Sequence, residues 1–493
     1  MPDLKSERLQ FLRSAGALLV AVACVAGCVL PPEKSQPERS WTAPAEFDQP
    51  AGTDTGLVSR TAPLSNMPWQ QYFTDSQLQA LINKALQHNR DLRATAARVM
   101  QAQKAYGIQY AVGLPQINAG AGANRAGLTD NSAFFGIPAV NSGYQVGLSM
   151  VSWELDFWGR VQDLRDSAMQ QFLSADANRR AATLSLIAQV AQTYIGLGRS
   201  DEQIELARAQ VLNREESLRF TQRRVDTGAA APVELTTAKL LLNQAKTTLV
   251  ALQQGRAEQW QAMNLLVGGG MTSLSKITLS TQAWPEVPAG VPSDLLKSRP
   301  DIMAAEHQLQ AMQANVSAAR AAFFPRITLT ALGGVSSNQF SQLFDGGNGT
   351  WMFSPQISLP IFDGGARQSN HELQTWRRTE SLAQYEKAIQ AAFREVNDAL
   401  SNTHWLKQRL ELSTADRVQQ QERARVAKSR FQAGSTPYQD VLEAQRDQLQ
   451  VEQALIQARG AWISSRINLY AALGGGSALL ANTVSTSVSP TAH

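Results

Sequence analysis

The sequence predicts a membrane protein of mixed α and β class, built from an internal duplication, in which each chain contributes four strands to a shared β-barrel. Three observations predict it: a repeated order of motifs, apolar residues every seven positions over long stretches, and short segments alternating apolar with polar. The repeat comes first, because two copies of one module constrain everything local. Asn89-Arg90-Asp91-Leu92 with Leu114-Pro115-Gln116-Ile117 returns 210 positions later as Arg299-Pro300-Asp301-Ile302 with Phe324-Pro325-Arg326-Ile327. Arg224-Val225-Asp226-Thr227-Gly228 returns 206 positions later as Arg430-Phe431-Gln432-Ala433-Gly434, and Gly268-Gly269-Gly270 returns as Gly474-Gly475-Gly476.

The seven-residue spacing predicts long rods. From Arg160 to Val225 there is no proline, and Val190, Leu197, Ile204, Val211, Leu218 and Val225 recur at one heptad position. A seam sustained that far indicates helices packed side by side. At about 1.5 Å per residue the run reaches roughly 100 Å, more than a compact domain needs. The second copy has a matching rod from near Gly365 to Phe431 and a return helix bearing Leu442, Leu449, Ile456, Ile463 and Tyr470; the first-copy return helix carries Leu235, Leu242 and Leu249. Gly228 and Gly434 end the rods, with Pro232 and Pro437 just beyond. Glycine suits a left-handed helix cap and proline a fresh helix start, so each is a tight antiparallel turn. Ahead of the repeated motifs, a helix is expected from near Asp75, with Trp69, Tyr72 and Phe73 as packing aromatics.

Between the helices the period drops to two. Ile117, Ala119 and Ala121 alternate with polar or small residues, as do Val146, Leu148 and Met150, then Ile327, Leu329 and Ala331, then Ile357, Leu359 and Ile361. One apolar and one polar face fit barrel strands with a wet lumen. Pro115 and Pro325 mark helix-to-strand junctions, and 126–141 and 336–349 read as hairpin loops. Four strands cannot close a barrel, and an open edge in lipid leaves backbone groups unpaired at several kcal/mol each. Several chains must therefore share the wall. Two copies give a barrel whose interior side chains largely fill, whereas three give twelve strands and room for a passage, which predicts a homotrimer.

The first residues set the compartment. Lys5, Arg8 and Arg13 precede an apolar run, Ala15 to Ala26, too short for a permanent bilayer span, so 1–27 reads as a signal peptide. Val25-Ala26-Gly27-Cys28 resembles a bacterial lipobox, in which Cys28 becomes the acylated first residue of the mature chain, and Val29 in that pattern implies the outer membrane. Attached acyl chains make outer-membrane lipid a partner, at roughly 0.8 kcal/mol per buried methylene. Residues 28–65, with many Pro, Ser, Thr and Gln, read as a lipidated tether.

Several function classes drop out. Cys24 and Cys28 are the only cysteines, so the mature chain has neither disulfide nor thiolate metal site, and five scattered histidines make no metal-ligand spacing. No cofactor is expected. A net charge of +4 over 493 residues gives a nucleic-acid partner no electrostatic support. No nucleophile, base and orienting group recur in an enzyme motif, and no phosphate-binding loop is present.

Taken in order, the lipobox, the paired junction prolines, Trp153-Glu154-Leu155-Asp156 with Phe157-Trp158-Gly159-Arg160, Leu359-Pro360-Ile361-Phe362, and Asn468-Leu469-Tyr470 with Ala472-Leu473-Gly474-Gly475 resemble the TolC-like outer-membrane factors, specifically their efflux lipoproteins. The resemblance spans about residues 65–475. It implies a trimeric twelve-stranded barrel continued by a long α-helical barrel across the periplasm, docked onto a periplasmic adaptor that serves an inner-membrane pump of the resistance-nodulation-division type. The expected division is 66–270 as first repeat, 271–291 as linker, 292–476 as second repeat and 477–493 as a flexible tail. The expected function is an exit duct for drugs and other small toxic compounds; a duct for type I protein secretion is the alternative.

The resemblance also points to sites. Asp440 and Glu443 match acidic positions at the periplasmic gate, and helix spacing of three puts both on one face. Three-fold repetition would make two acidic rings of the kind that select ions; the pair equally suits a helix start, where carboxylates meet the dipole. Some relatives carry a gate-locking arginine where this chain has Thr436, so hydrophobic closure by Tyr438 and Leu442 is expected instead. The turns around Arg224 and Gly228, and Arg430 and Gly434, resemble adaptor-docking tips, and their glycines also serve plain turn chemistry.

Overall fold

The computed structural model describes residues 66–127, 140–279, 285, 298–477 and 479. The expected signal peptide, Cys28 and the tether lie outside the described residues. A single helical turn, α1 (Trp69–Tyr72), and α2 (Ser76–His88) precede the elements that repeat. Asp75 caps α2 by accepting from the backbone N–H of Gln77 and Leu78, at 2.8 and 3.1 Å, which is why the helix starts there.

Each repeat then runs through the same five elements. The first has α3 (Arg90–Val112), β1 (Ile117–Gly127), β2 (Val140–Glu154), α4 (Arg160–Asp226) and α5 (Pro232–Leu266). The second has α6 (Pro300–Ala321), β3 (Arg326–Ser337), β4 (Gly349–Ser358), α7 (Ala366–Gln432) and α8 (Tyr438–Ala472). Both rods are 67 residues long, and both return helices are 35. No described helix is long and apolar enough to cross a membrane.

The described chain divides into two compact units. One comprises the described residues of Ala102–Phe172 and His307–Ala383 and contains the sheet, in the order β1-β2-β3-β4, antiparallel throughout. Register aligns the apolar positions: Ile117 faces Met150, Met150 faces Ala331, and Ala331 faces Phe353. Because side chains alternate between faces, Leu148, Val335, Trp351 and Ile357 share that surface. Several of its large side chains are bare, with Trp351 81% and Ile357 71% exposed.

Two details correct the simple alternation. Leu359 and Ile361, expected to extend the last strand, lie beyond its end at Ser358, where Pro360 supplies no ladder donor. In β2 a bulge shifts the register between Met150 and Trp153, with Ser152 at φ +55°. The shift moves Trp153 to the apolar face, opposite Leu329, and Glu154 to the polar one. The predicted loops are also shorter than expected: Gly127 and Val140 are strand, 128–139 lie outside the described residues, and Phe340–Gln342 forms a 3₁₀ turn.

Where strand turns into rod, the Trp153–Arg160 motif makes a polar joint. Glu154 receives Arg160 through two bonds, 2.9 and 2.7 Å, and Arg326 through one at 2.6 Å. Asp156 accepts from the N–H of Val161 and Gln162 at 3.0 and 2.7 Å, capping α4. Trp158 stacks on Phe324 and donates to the Pro325 carbonyl at 2.8 Å.

The other unit holds the helical core. Tyr72 stacks on Tyr470 at 4.3 Å and donates to the Arg466 carbonyl at 2.8 Å; both phenols and Phe73 are buried. Val190, Leu197 and Ile204 of the first seam are buried, as are Ile456, Ile463 and Tyr470 of the second return helix. The duplication also repeats a lock at the end of each return helix. Asn89 donates to the Leu266 carbonyl at 3.0 Å, and its counterpart Arg299 donates to the Ala472 carbonyl at 3.0 Å. Gly268 and Gly474 adopt φ of +79° and +70° to turn the chain there, and a Cβ on Gly268 would collide with the His88 carbonyl.

Asp163, in the first turn of α4, is half-buried, and burial, followed by repulsion from Asp166 and Asp156, raises its pKa to about 6. A carboxyl whose folded pKa is raised costs stability when ionised, so the cost is full above the folded value and fades as pH falls toward the unfolded one. Asp163→Asn should therefore stabilise the protein at neutral pH by about 1 kcal/mol, after discounting for solvent screening of a partly exposed group. Melting temperature measured against pH should show the advantage at neutral pH and none below about pH 4.

Candidate functional site

The predicted gate and docking residues gather at the two interhelical turns. At the first, the N–H of Ala229 bonds the Arg224 carbonyl at 2.7 Å and that of Gly228 bonds Val225 at 3.0 Å; at the second, Ser435 bonds Arg430 at 3.0 Å and Gly434 bonds Phe431 at 2.9 Å. This paired pattern needs a left-handed residue, and Gly228 and Gly434 supply it at φ +72° and +73°. The same backbone motif therefore closes both rods.

Side chains then make the turns different. Arg224 reaches across its turn to the Ala229 carbonyl at 2.9 Å, approaches Glu234 at 3.8 Å and lies over the Phe220 ring. Glu234 in turn accepts from the Ala231 N–H at 3.2 Å, capping α5. In the second turn Arg430 is exposed, and the Ser435 hydroxyl binds its backbone carbonyl at 2.9 Å.

Tyr438 is the best-held of the predicted gate residues. Its ring packs against Phe431 at 5.0 Å and Phe220 at 5.6 Å, and its hydroxyl donates to Ser217 Oγ at 2.7 Å. The apolar ring thus carries a hydrogen bond at its tip. Leu442 is half-buried one turn further along α8. Asp440 and Glu443 are both exposed, Glu443 accepting from Gln439 at 3.1 Å. They share the solvent face of α8, as their spacing requires.

Phe220 and Ser217 were not singled out by the sequence, although a signal was available. Their counterparts 206 positions on are Val426 and Arg423, and the counterpart of Tyr438 is Pro232. The cluster is built where the repeats disagree. Among the described residues no group of acidic, histidine or cysteine side chains could hold a metal ion.

The family described as Outer membrane efflux protein matches residues 81–269 and 291–475. This chain belongs to that family. Among individual relatives, the chain is 35% identical over 468 residues to the probable efflux pump outer membrane protein TtgC of Pseudomonas putida, covering 94% of this chain and 96% of that one. It is also 35% identical to the outer membrane protein OprJ of Pseudomonas aeruginosa, covering 93% and 95%. Among solved structures, the open-state MtrE outer membrane channel of Neisseria gonorrhoeae superposes with a TM-score of 0.79 at 32% identity, covering 89% of this chain and 97% of that one. The protein is accordingly an outer-membrane protein of mixed helical and sheet fold.

For this efflux-family chain, the turn geometry gives two stability predictions. Gly434→Ala should cost about 1–2 kcal/mol from backbone strain alone, because its new Cβ meets nothing within 4 Å. In a double-mutant cycle, Tyr438→Phe and Ser217→Ala should couple by about 1 kcal/mol in unfolding experiments, and additive effects would show that the bond contributes nothing.

Proposed function

We propose that three copies of this chain close a twelve-stranded barrel in the outer membrane and continue it as a helical barrel across the periplasm. The duct passes drugs and other small toxic compounds outward from an inner-membrane pump of the resistance-nodulation-division type, joined to it by a periplasmic adaptor. Residues 1–27 are removed on export and Cys28 is acylated, anchoring each chain beside its barrel. The repeats occupy 66–270 and 292–476.

The observation that carries this reading is the sheet itself. Its β1 and β4 edges have no partner strand among the described residues, and one face bares Ile117, Leu148, Trp351, Phe353 and Ile357. In water such a face and such edges invite aggregation, whereas in lipid the face is solvated and the edges must be paired. Pairing β1 of one chain with β4 of the next satisfies both. Repeated head to tail, the pairing generates a closed ring.

Names of the relatives support the choice of cargo: similar chains include a toluene efflux pump outer membrane protein and an antibiotic efflux pump outer membrane protein, both of Pseudomonas putida. In this reading Asp440 and Glu443 form acidic rings at the periplasmic gate, with Tyr438 and Leu442 as its closing residues. The turns at Arg224, Gly228, Arg430 and Gly434 receive the adaptor.

Deleting the gene should raise susceptibility to drugs and solvents while leaving secreted-protein levels unchanged; the opposite pattern would make the duct a protein exporter. In planar bilayers, Asp440→Ala combined with Glu443→Ala should raise conductance or weaken cation preference, since rings of one sign select passing ions. Unchanged conductance and selectivity would remove both residues from the gate.

A further inference from the structure

A cavity of about 530 Å³ opens beside the turn cluster, lined by Arg214, Val233, Leu241, Phe431, Thr436 and Leu442 among others. That volume lies in the range of small-molecule sites, and its walls combine apolar surface with a few polar groups, as such sites do. Arg214 is 7% exposed. With the Gln210 amide turned so that its oxygen faces the guanidinium, Nε and Nη2 are satisfied at 3.0 and 3.1 Å. Nη1 is buried with no hydrogen-bond partner, and so is Thr436 Oγ1.

A buried guanidinium ordinarily has a carboxylate beside it, because removing its charge from water is expensive. Among the described residues no carboxylate forms a salt bridge with Arg214; burial depresses its proton affinity, and only the Tyr438 oxygen opposes this. The acidic residue among those lining the cavity, Glu234, is engaged by Arg224 and the Ala231 N–H. Nor is the charge a by-product of duplicated packing, since the counterpart of Arg214 is the neutral Gln420.

We propose that this cavity binds a small organic anion, whose carboxylate pairs with the Arg214 guanidinium beside Thr436, a small turn of both side chains bringing the buried Nη1 and Oγ1 to it, while its apolar body lies against Val233, Leu241, Phe431 and Leu442. An inorganic anion would meet an apolar wall it cannot use, and a neutral ligand would leave the guanidinium unpaired. The occupant ties α4, which carries Arg214, to the turn between α7 and α8, which carries Thr436. The site rests on these side chains and does not depend on the gate reading.

Benzoate and its neutral isostere benzamide distinguish the possibilities, titrated calorimetrically into the purified full-length protein in detergent. Benzoate should bind saturably, and benzamide more weakly by about tenfold or more, as expected when a charge-assisted hydrogen bond is lost. Arg214→Gln, which installs the residue of the other repeat, should abolish the difference between the two ligands. Should that variant not fold, Ala238→Phe, which fills the cavity from the α5 side, should abolish benzoate binding instead. The proposal is overturned if benzoate does not bind, if benzamide binds as well, or if the folded variants bind benzoate as the wild type does.

Discussion

One constraint organises this molecule: a four-stranded sheet with an apolar face cannot stand alone, in water or in lipid. In water its bare surface, from Ile117 to Trp351 and Ile357, would drive association. In hydrocarbon the unpaired backbone of β1 and β4 would cost several kcal/mol for each group left without a partner. The proposed trimer answers both demands by the same pairing. The bulge in β2 serves that end, because it returns Trp153 to the apolar face and turns Glu154 toward Arg160 and Arg326, where the strand gives way to the rod.

Duplication explains how one chain builds so much from so little. Two rods of equal length, two return helices of equal length and two glycine-capped turns follow from one module written twice. The proposed gate and cavity lie where the copies part. Tyr438 stands opposite Pro232 in the other copy, Phe220 opposite Val426, and Arg214 opposite Gln420, and these positions hold the aromatic cluster and the buried cation of the cavity. The shared positions hold the fold: Asn89 and Arg299 make the same helix-end bond with different chemistry.

Much of this was legible in the sequence. Heptad spacing located both rods to within a residue or two, since it reports packing that persists along the whole helix, and the junction prolines located the starts of β1 and β3. The end of β4 and the bulge were not legible: Leu359 and Ile361 keep the alternating pattern after the ladder has stopped, and a bulge leaves alternation intact on each side while shifting its phase. At the turns, Gly228 and Gly434 announced themselves through the backbone they permit. The Tyr438–Ser217 bond and the unpaired Arg214 did not, because both depend on side chains from elements more than two hundred residues apart or on the absence of a partner, which no local pattern records.

The central claim is that neighbouring chains pair β1 with β4. Of the two native cysteines, Cys24 falls in the expected signal peptide and Cys28 is acylated in this account, so introduced pairs report without interference. Cysteines placed along β1 at Asn118, Gly120 or Gly122 and along β4 at Ser354, Gln356 or Ser358 should, in the correctly aligned pair, oxidise in native outer membranes to a covalent species of three chains on a denaturing gel. Bridging confined to single chains, a ladder that stops at two, or no bridging in any pair would contradict the account.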